Sequence, residues 1–465
     1  MTATNATAPE FRRSTGSDRF TYPLVVGLAH FLVVQITAAL ALIYGTVRDT
    51  PGNGIPGALE SAPQNYKGTP NGPADLAGLL RVLVEPLRSW DGLWYSQIAD
   101  LGYPAFESAN PAYWPIYPWL MEGGSRLTGQ PVEIVGWVLS NIFFVVALGF
   151  VYALVRLDFP EQIARITLWV LALFPMALFF SAVYTESLFL MLAAGALYFA
   201  RTRAWALAGI LGLLAALSRS NGVMLLLPFA VLCIQQYGWS PRRWLTTGLA
   251  SAAFAILPIL GPILFYVYLN AEEIPQTPTN PAFVEVQGQW FRYSAPPWDT
   301  FRCAVAGCDV PVGQEYIDRT LNEDAAGNLI PYHAVGANWS WVRELIDDPT
   351  WSHITSFEFR DLFARSDTVE LVSLLLFAGL AIIGLRILPL YQTAYLIPPL
   401  LFPLFQPSAV HPLLSIPRFG IVLFPLFVVL AILLQRRGPL ITYSVISGAL
   451  LILFTIQFTH WYWVS

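Results

Sequence analysis

The sequence predicts an all-α polytopic membrane protein of about eleven transmembrane helices, and three observations carry that prediction. Of 465 residues, 55% are hydrophobic and only 12% charged, where soluble domains carry roughly 25% charged residues. Apolar runs recur along the whole chain, several of them near the ~20 residues a helix needs to cross a bilayer. The arginines fall at alternate ends of those runs. The formal charge of -5 has no basic arm or stripe behind it, so nothing points to nucleic acid.

Residues 1–21 read as a polar cytoplasmic tail with Arg12, Arg13 and Arg19. The first apolar run, 22–44, holds Ala39-Leu40-Ala41, which imitates a signal-peptide cleavage site. The run is too long for a signal core and reads as an uncleaved first helix. Further spans are expected near 134–155, 166–182, 187–200, 204–218, 223–238, 245–269, 369–386, 389–407, 419–435 and 440–459. Pro175, Pro228, Pro258, Pro398 and Pro399 interrupt them, as membrane helices allow when neighbours satisfy the freed carbonyls. The whole of 22–465 reads as one transmembrane domain. Lys67 is the only lysine, a bias typical of GC-rich bacterial coding, so a bacterial plasma membrane is the expected location.

Arginine placement orients the spans. With the N-terminus inside, the inner segments hold Arg156, Arg165, Arg201, Arg203, Arg242, Arg243, Arg386, Arg436 and Arg437 besides the tail arginines, and sum to +8 against -13 outside. Two long outer loops result, 45–133 and 270–368. The short outer turns hold only Glu186, Arg219 and Arg418 as strongly charged residues. Charge at such depth is expensive and is kept for pairing or function. A Glu–Arg pair that merely ties helices together is the plain alternative.

The first outer loop carries two patterned stretches. Leu76, Leu79, Leu80, Leu83 and Leu87 repeat at helical spacing, as in an amphipathic helix lying at the interface. Trp90, Trp94, Ile98 and Leu101 form a second stripe, with Asp91 at its first turn. Asp91 could do no more there than cap backbone N–H groups. The segment Tyr113-Trp114-Pro115-Ile116-Tyr117-Pro118-Trp119 reads as a rigid aromatic shelf. Cys303 and Cys308, five apart in the second outer loop, form either a local disulfide or two free thiols. Gly52-Asn53-Gly54-Ile55-Pro56-Gly57 fits a dinucleotide fingerprint only on paper, since it lacks any βαβ context. No Asp-x-Asp motif or metal-site cysteine spacing occurs.

The run Trp90-Asp91-Gly92, Trp94-Tyr95, Ile98-Ala99 and Gly102-Tyr103 resembles the signature of the PIG-V family. These are the second mannosyltransferases of GPI-anchor synthesis and their bacterial relatives. Trp114-Pro115-Ile116-Tyr117-Pro118 is similar to the element that follows in that family. Tyr184-Thr185-Glu186-Ser187, Arg219-Ser220-Asn221-Gly222 and Ile416-Pro417-Arg418-Phe419 continue the resemblance in order. The second outer loop has no counterpart in it.

The resemblance implies a GT-C-like fold: polytopic, with the active site on the extracytoplasmic side and a catalytic carboxylate in the first outer loop. It implies a polyprenyl-phosphate-mannose donor and membrane lipids as partners. An inverting transfer needs a base for the acceptor hydroxyl, and Asp91 is the candidate. It needs positive charge on the leaving phosphate, which arginine's fork supplies, so Arg219 and Arg418 are the phosphate-binding candidates. Trp90, Tyr95, Tyr117, Tyr184, Glu186, Asn221 and His411 are expected to line the substrate. No cofactor is expected, with a divalent ion shared by Asp91 and Glu186 left open. A glycan, glycolipid or protein acceptor is compatible. The rival readings are a transferase for another lipid-phosphate-linked sugar and a membrane glycolipid transporter. A transporter needs polar residues through the bilayer, whereas here they gather at one end.

Overall fold

The computed structural model describes residues 18–44, 78–103, 112–238, 240–271, 292–310, 332–334, 366–408, 411–459 and 464. The Gly52–Gly57 segment, the tail arginines Arg12 and Arg13, and most of 270–368 lie outside the described residues.

The described chain is helical apart from one two-stranded ribbon. The helices are α1 (Asp18–Tyr44), α2 (Gly78–Val84), α3 (Asp91–Leu101), α4 (Ile116–Thr128), α5 (Val132–Asp158), α6 (Glu161–Ala172), α7 (Glu186–Arg201), α8 (Trp205–Ser218) and α9 (Leu226–Tyr237). After them come α10 (Leu249–Ala255), α11 (Leu260–Ala271), α12 (Pro297–Ala306), α13 (Ser366–Ile387), α14 (Leu390–Phe405), α15 (Ile416–Ile421), α16 (Phe424–Leu433) and α17 (Arg437–Thr459). Each predicted span falls on one or two of them. Among the described residues, six helical stretches are long and apolar enough to cross a membrane alone: Thr21–Leu42, Val132–Asp158, Ser220–Tyr237, Pro241–Ala271, Asp367–Ile387 and Arg437–Thr459. The others are shorter or broken. Where one span was expected over 166–182, α6 stops at Ala172 and a 3-10 turn, Pro175–Phe180, takes over. Pro175 cannot donate to the helical ladder, which ends the helix there. The expected span 419–435 likewise divides into α15 and α16.

The bundle is assembled around α5, which packs against α1 on one side and α7 on another, while α7 packs on α8. Its interior is apolar, with Phe144, Leu148, Val151, Leu190 and Leu197 fully buried. On α1, Leu24, Leu28, Leu32, Ile36 and Leu40 are each about half exposed. They recur every four residues and make one apolar stripe, the pattern of a helix whose outer face meets lipid.

The stretch from Trp90 to Leu101 packs into the bundle: Leu93, Tyr95, Ile98 and Ala99 are buried and α3 lies against α4 and α5, while Trp90 and Trp94 are half-buried and Leu101 is exposed. On α2, Leu79 and Leu80 are exposed, and α4 is amphipathic, burying Tyr117 and Met121 while Leu127 is 89% exposed. The second outer loop adds strands β1 (Cys308–Val310) and β2 (Tyr332–Ala334), paired antiparallel with Asp309 opposite His333. Cys303 and Cys308 are joined in a disulfide, and Cys233 is free and buried.

Candidate active site

Four separate elements bring four charges together at one end of the bundle. Asp91 is the first residue of α3 and Glu186 the first of α7. A helix N-terminus carries partial positive charge and suits a carboxylate. Arg219 follows α8 in extended backbone, and Arg418 lies within α15. Asp91 caps nothing with its side chain. Instead Oδ2 accepts a hydrogen bond from Arg418 Nη1, and Oδ1 accepts one from Tyr113 at 3.2 Å. Glu186 Oε1 sits between both guanidiniums, 2.5 Å from Arg219 Nη1 and 3.3 Å from Arg418 Nε. Asp91 and Glu186 are buried, the two arginine side chains are only 11% and 12% exposed, and the formal charges cancel.

Aromatic groups wall this cluster. Arg418 lies over Tyr184, Phe179 and Phe419, and Arg219 also faces Phe419 at 5.3 Å. Such faces attract a cation where water is scarce. The Tyr184 hydroxyl accepts from the Asp91 backbone N–H at 3.1 Å and donates to the Ser89 carbonyl at 3.0 Å. It therefore fastens the start of α3 to the turn before α7. Burial, with Asp91 next, pushes the Tyr113 and Tyr184 phenols well above their ordinary pKa. Tyr113 consequently stays a donor to Asp91. Burial works against the Arg418 charge, but Asp91 and Glu186 outweigh it and raise its pKa.

Two glycines and two strained residues fix the frame. A Cβ at Gly222 would run into the backbone of Ala215 and Ala216, so only glycine lets the turn after Arg219 fold back on α8. A Cβ at Gly420 would enter the Phe377 ring, so α15 lies directly on α13. Trp90, just before Asp91, has φ 59°, and Ser415, just before α15, has φ 67°. Non-glycine residues held there cost about 1–3 kcal/mol each and cluster at functional sites.

A second polar group braces Arg418 from behind. Glu370 Oε1 accepts from the Ser415 backbone N–H at 3.1 Å, and His411 Nδ1 meets Asp367 Oδ1 at 2.7 Å. Arg292 donates to the carbonyls of Gln406 and Leu414 at 2.7 and 3.3 Å. Burial disfavours a charged His411, yet Asp367, with Glu370 near, raises its pKa. Burial lowers the pKa of Arg292 to about 10 despite Glu370.

Of the residues expected from the sequence, Asp91, Glu186, Arg219, Arg418 and Tyr184 come together. Tyr95 adjoins them through Thr185 at 3.3 Å, and Arg219 reaches the same Thr185 at 3.4 Å. Trp90 stands at the edge, half-buried. Asn221 is buried on the Arg219 turn without a hydrogen bond to the cluster. Tyr117 commits its hydroxyl to the Gly136 carbonyl at 3.0 Å and to Ser140 at 2.7 Å, so it braces α4 on α5. His411 belongs to the bracing group. The sequence reading missed Tyr113, Thr185, Arg292, Asp367 and Glu370. Glu370 alone gave a signal, being a carboxylate just inside the predicted span 369–386. Among the described residues, no three His, Cys, Asp or Glu side chains gather as a metal-binding group.

Residues 67–241 match the family model for mannosyltransferase (PIG-V). The match covers Asp91, Tyr184, Glu186 and Arg219, and it supports a PIG-V-like mannosyltransferase family and mannosyl transfer as the activity. No curated protein and no solved structure matches the chain.

Proposed function

We propose that the chain is an inverting glycosyltransferase that moves mannose from a polyprenyl-phosphate-mannose donor to an acceptor on the extracytoplasmic side, with Asp91 as general base. The observation that carries this reading is the meeting of Asp91 and Arg418 in one buried cluster from elements 327 residues apart in sequence. A base for the nucleophile and a cation for the leaving group are the two functions the displacement requires.

In the proposed reaction the acceptor oxygen bonds to the anomeric carbon of mannose as the bond from that carbon to the phosphate oxygen breaks. The acceptor proton passes to Asp91, and the polyprenyl phosphate departs with its charge on Arg418 and Arg219. The Asp91–Arg418 pair is the resting arrangement. A donor phosphate accepts the Arg418 fork in place of Asp91, which frees the carboxylate to act as base. Electrostatic stabilisation of this kind is worth roughly 10²–10³ in rate. Glu186 holds both arginines in register while the phosphate enters. Tyr113 keeps Asp91 aimed by its hydrogen bond. The acceptor is a glycan, glycolipid or protein.

The test is transfer from radiolabelled polyprenyl-phosphate sugars to an acceptor extract by purified protein, with and without excess chelator. Wild-type protein should use the mannose donor, and Asp91→Asn should lose transfer while staying folded. Transfer from no lipid-linked donor, or full activity in Asp91→Asn, would overturn the assignment.

A further inference from the structure

The end of the bundle opposite the four-charge cluster holds a second polar site. On α5, Asp158 lies ~27 residues, or about 40 Å of helix, from the end that carries Gly136 and Ser140. Around it a cavity of about 410 Å³ is lined by Asp158, Arg201, Arg203, Gln235, Tyr391 and Leu390, among others. Asp158 is already fully used there. It pairs with Arg201 at 3.0 Å, and it accepts from Tyr391 at 2.5 Å and from Gln392 at 3.4 Å. The Arg203 side chain has no hydrogen-bond or ion-pair partner among the described residues, which leaves the cavity one uncompensated positive charge.

Arg203 also sits where an arginine is costly. The N–H of Ala204 reaches the Phe199 carbonyl at 2.8 Å, and that of Arg203 reaches the Ala200 carbonyl at 3.1 Å. These two bonds define a Schellman end to α7, with Arg203 at the left-handed position, φ 67°. Glycine occupies that position without strain, and asparagine comes next. An arginine there exchanges backbone comfort for its side chain, and that side chain lines the cavity. The rim is apolar and open at Leu390, which lines the cavity and is 60% exposed, and Leu207 and Ile234, each close in sequence to a lining residue, are nearly half exposed. An anion reaching this cavity beside such flanks arrives on a lipid.

We propose that the Arg201–Arg203 cavity binds the phosphate headgroup of an anionic phospholipid in the leaflet opposite the four-charge cluster, with Arg203 as the principal cation and Asp158 holding Arg201 in place. Basic recesses between membrane helices recognise headgroups in this way.

The test uses the full chain, purified in detergent and titrated with phosphatidylglycerol or phosphatidylcholine, with bound lipid counted by native mass spectrometry. Wild-type protein should retain one phosphatidylglycerol in preference to phosphatidylcholine. Arg203→Gly should bind it about fivefold more weakly, the worth of one arginine near a membrane surface. The same variant should melt slightly higher without lipid, because the left-handed strain is relieved. Undiminished phosphatidylglycerol retention in Arg203→Gly would overturn the proposal, and so would a lower melting temperature of that variant in neutral detergent. Inorganic phosphate should neither compete nor protect at matched concentration. Equal protection by inorganic phosphate would mean that the cavity takes a soluble anion and not a lipid.

Discussion

The four-charge cluster makes a quantitative prediction about paired substitutions at Asp91 and Arg418. Their side chains are 7% and 12% exposed, so removing one partner strands a buried charge, which costs about 3–5 kcal/mol in comparable pairs. The two single variants differ in what they strand. In Asp91→Asn, Arg418 keeps Glu186 at 3.3 Å, so the loss belongs at the low end, about 3 kcal/mol. In Arg418→Gln, Asp91 loses its cation and keeps the Tyr113 hydroxyl at 3.2 Å, while Glu186 keeps Arg219, so the loss belongs at the upper end, about 4–5 kcal/mol. The double variant leaves Glu186 and Arg219 as an intact neutral pair at 2.5 Å. It should cost no more than about 3 kcal/mol, far short of additive, with a coupling energy of about 4 kcal/mol or more. Equilibrium unfolding in mixed micelles across the cycle measures this directly. All three variants should be inactive, so recovered stability without recovered transfer separates charge balance from chemistry. Losses that add within about 0.5 kcal/mol, or a larger loss in Asp91→Asn than in Arg418→Gln, would refute the reasoning.

Three further outcomes follow from the same geometry. His411 has a raised pKa in the folded protein, so its protonation contributes stability that is full below the ordinary value of 6.5 and is lost as pH rises through the folded value; a pH series should show that loss in wild type and a flatter curve in His411→Gln. Glu370→Gln keeps an acceptor for the Ser415 N–H and should retain donor use, whereas Glu370→Ala should weaken it severalfold, as a donor titration of initial rates would show. Tyr117→Phe should cost about 1 kcal/mol of stability through its lost hydrogen bonds and leave the Michaelis constants unchanged, because its hydroxyl serves α5 and not the cluster.

The helical spans were legible because hydropathy is a long-range average that survives local error. Broken helices were not, since Pro175 looks, in sequence, like the tolerated prolines elsewhere, and the Ile421–Phe424 break is a run of apolar residues with no proline in it. Glu186, Arg219 and Arg418 stood out because charge is rare in short turns beside apolar runs. Arg292 and Asp367 did not, because they sit in or beside a long polar loop where charge is ordinary. Only the fold shows that they turn inward to hold the 406–415 segment. Tyr113 was hidden for a related reason: in an aromatic-rich stretch nothing marks which hydroxyl will face a carboxylate. Tyr117 is the converse case, since its motif neighbourhood suggested substrate and its buried partners assign it to packing.

The resting neutrality of the cluster bears on which molecules can occupy it. Each guanidinium already faces a carboxylate, so a small anion from the aqueous phase must compete with Asp91 for Arg418 and gains little by winning. A phosphate tethered to a prenyl chain is different, because the bilayer holds it beside the site at high effective concentration. On the proposed reading, Asp91 and Glu186 act as built-in competitors against soluble phosphates and sugar phosphates, and the site would sort its ligands by the phase they come from before it sorts them by shape.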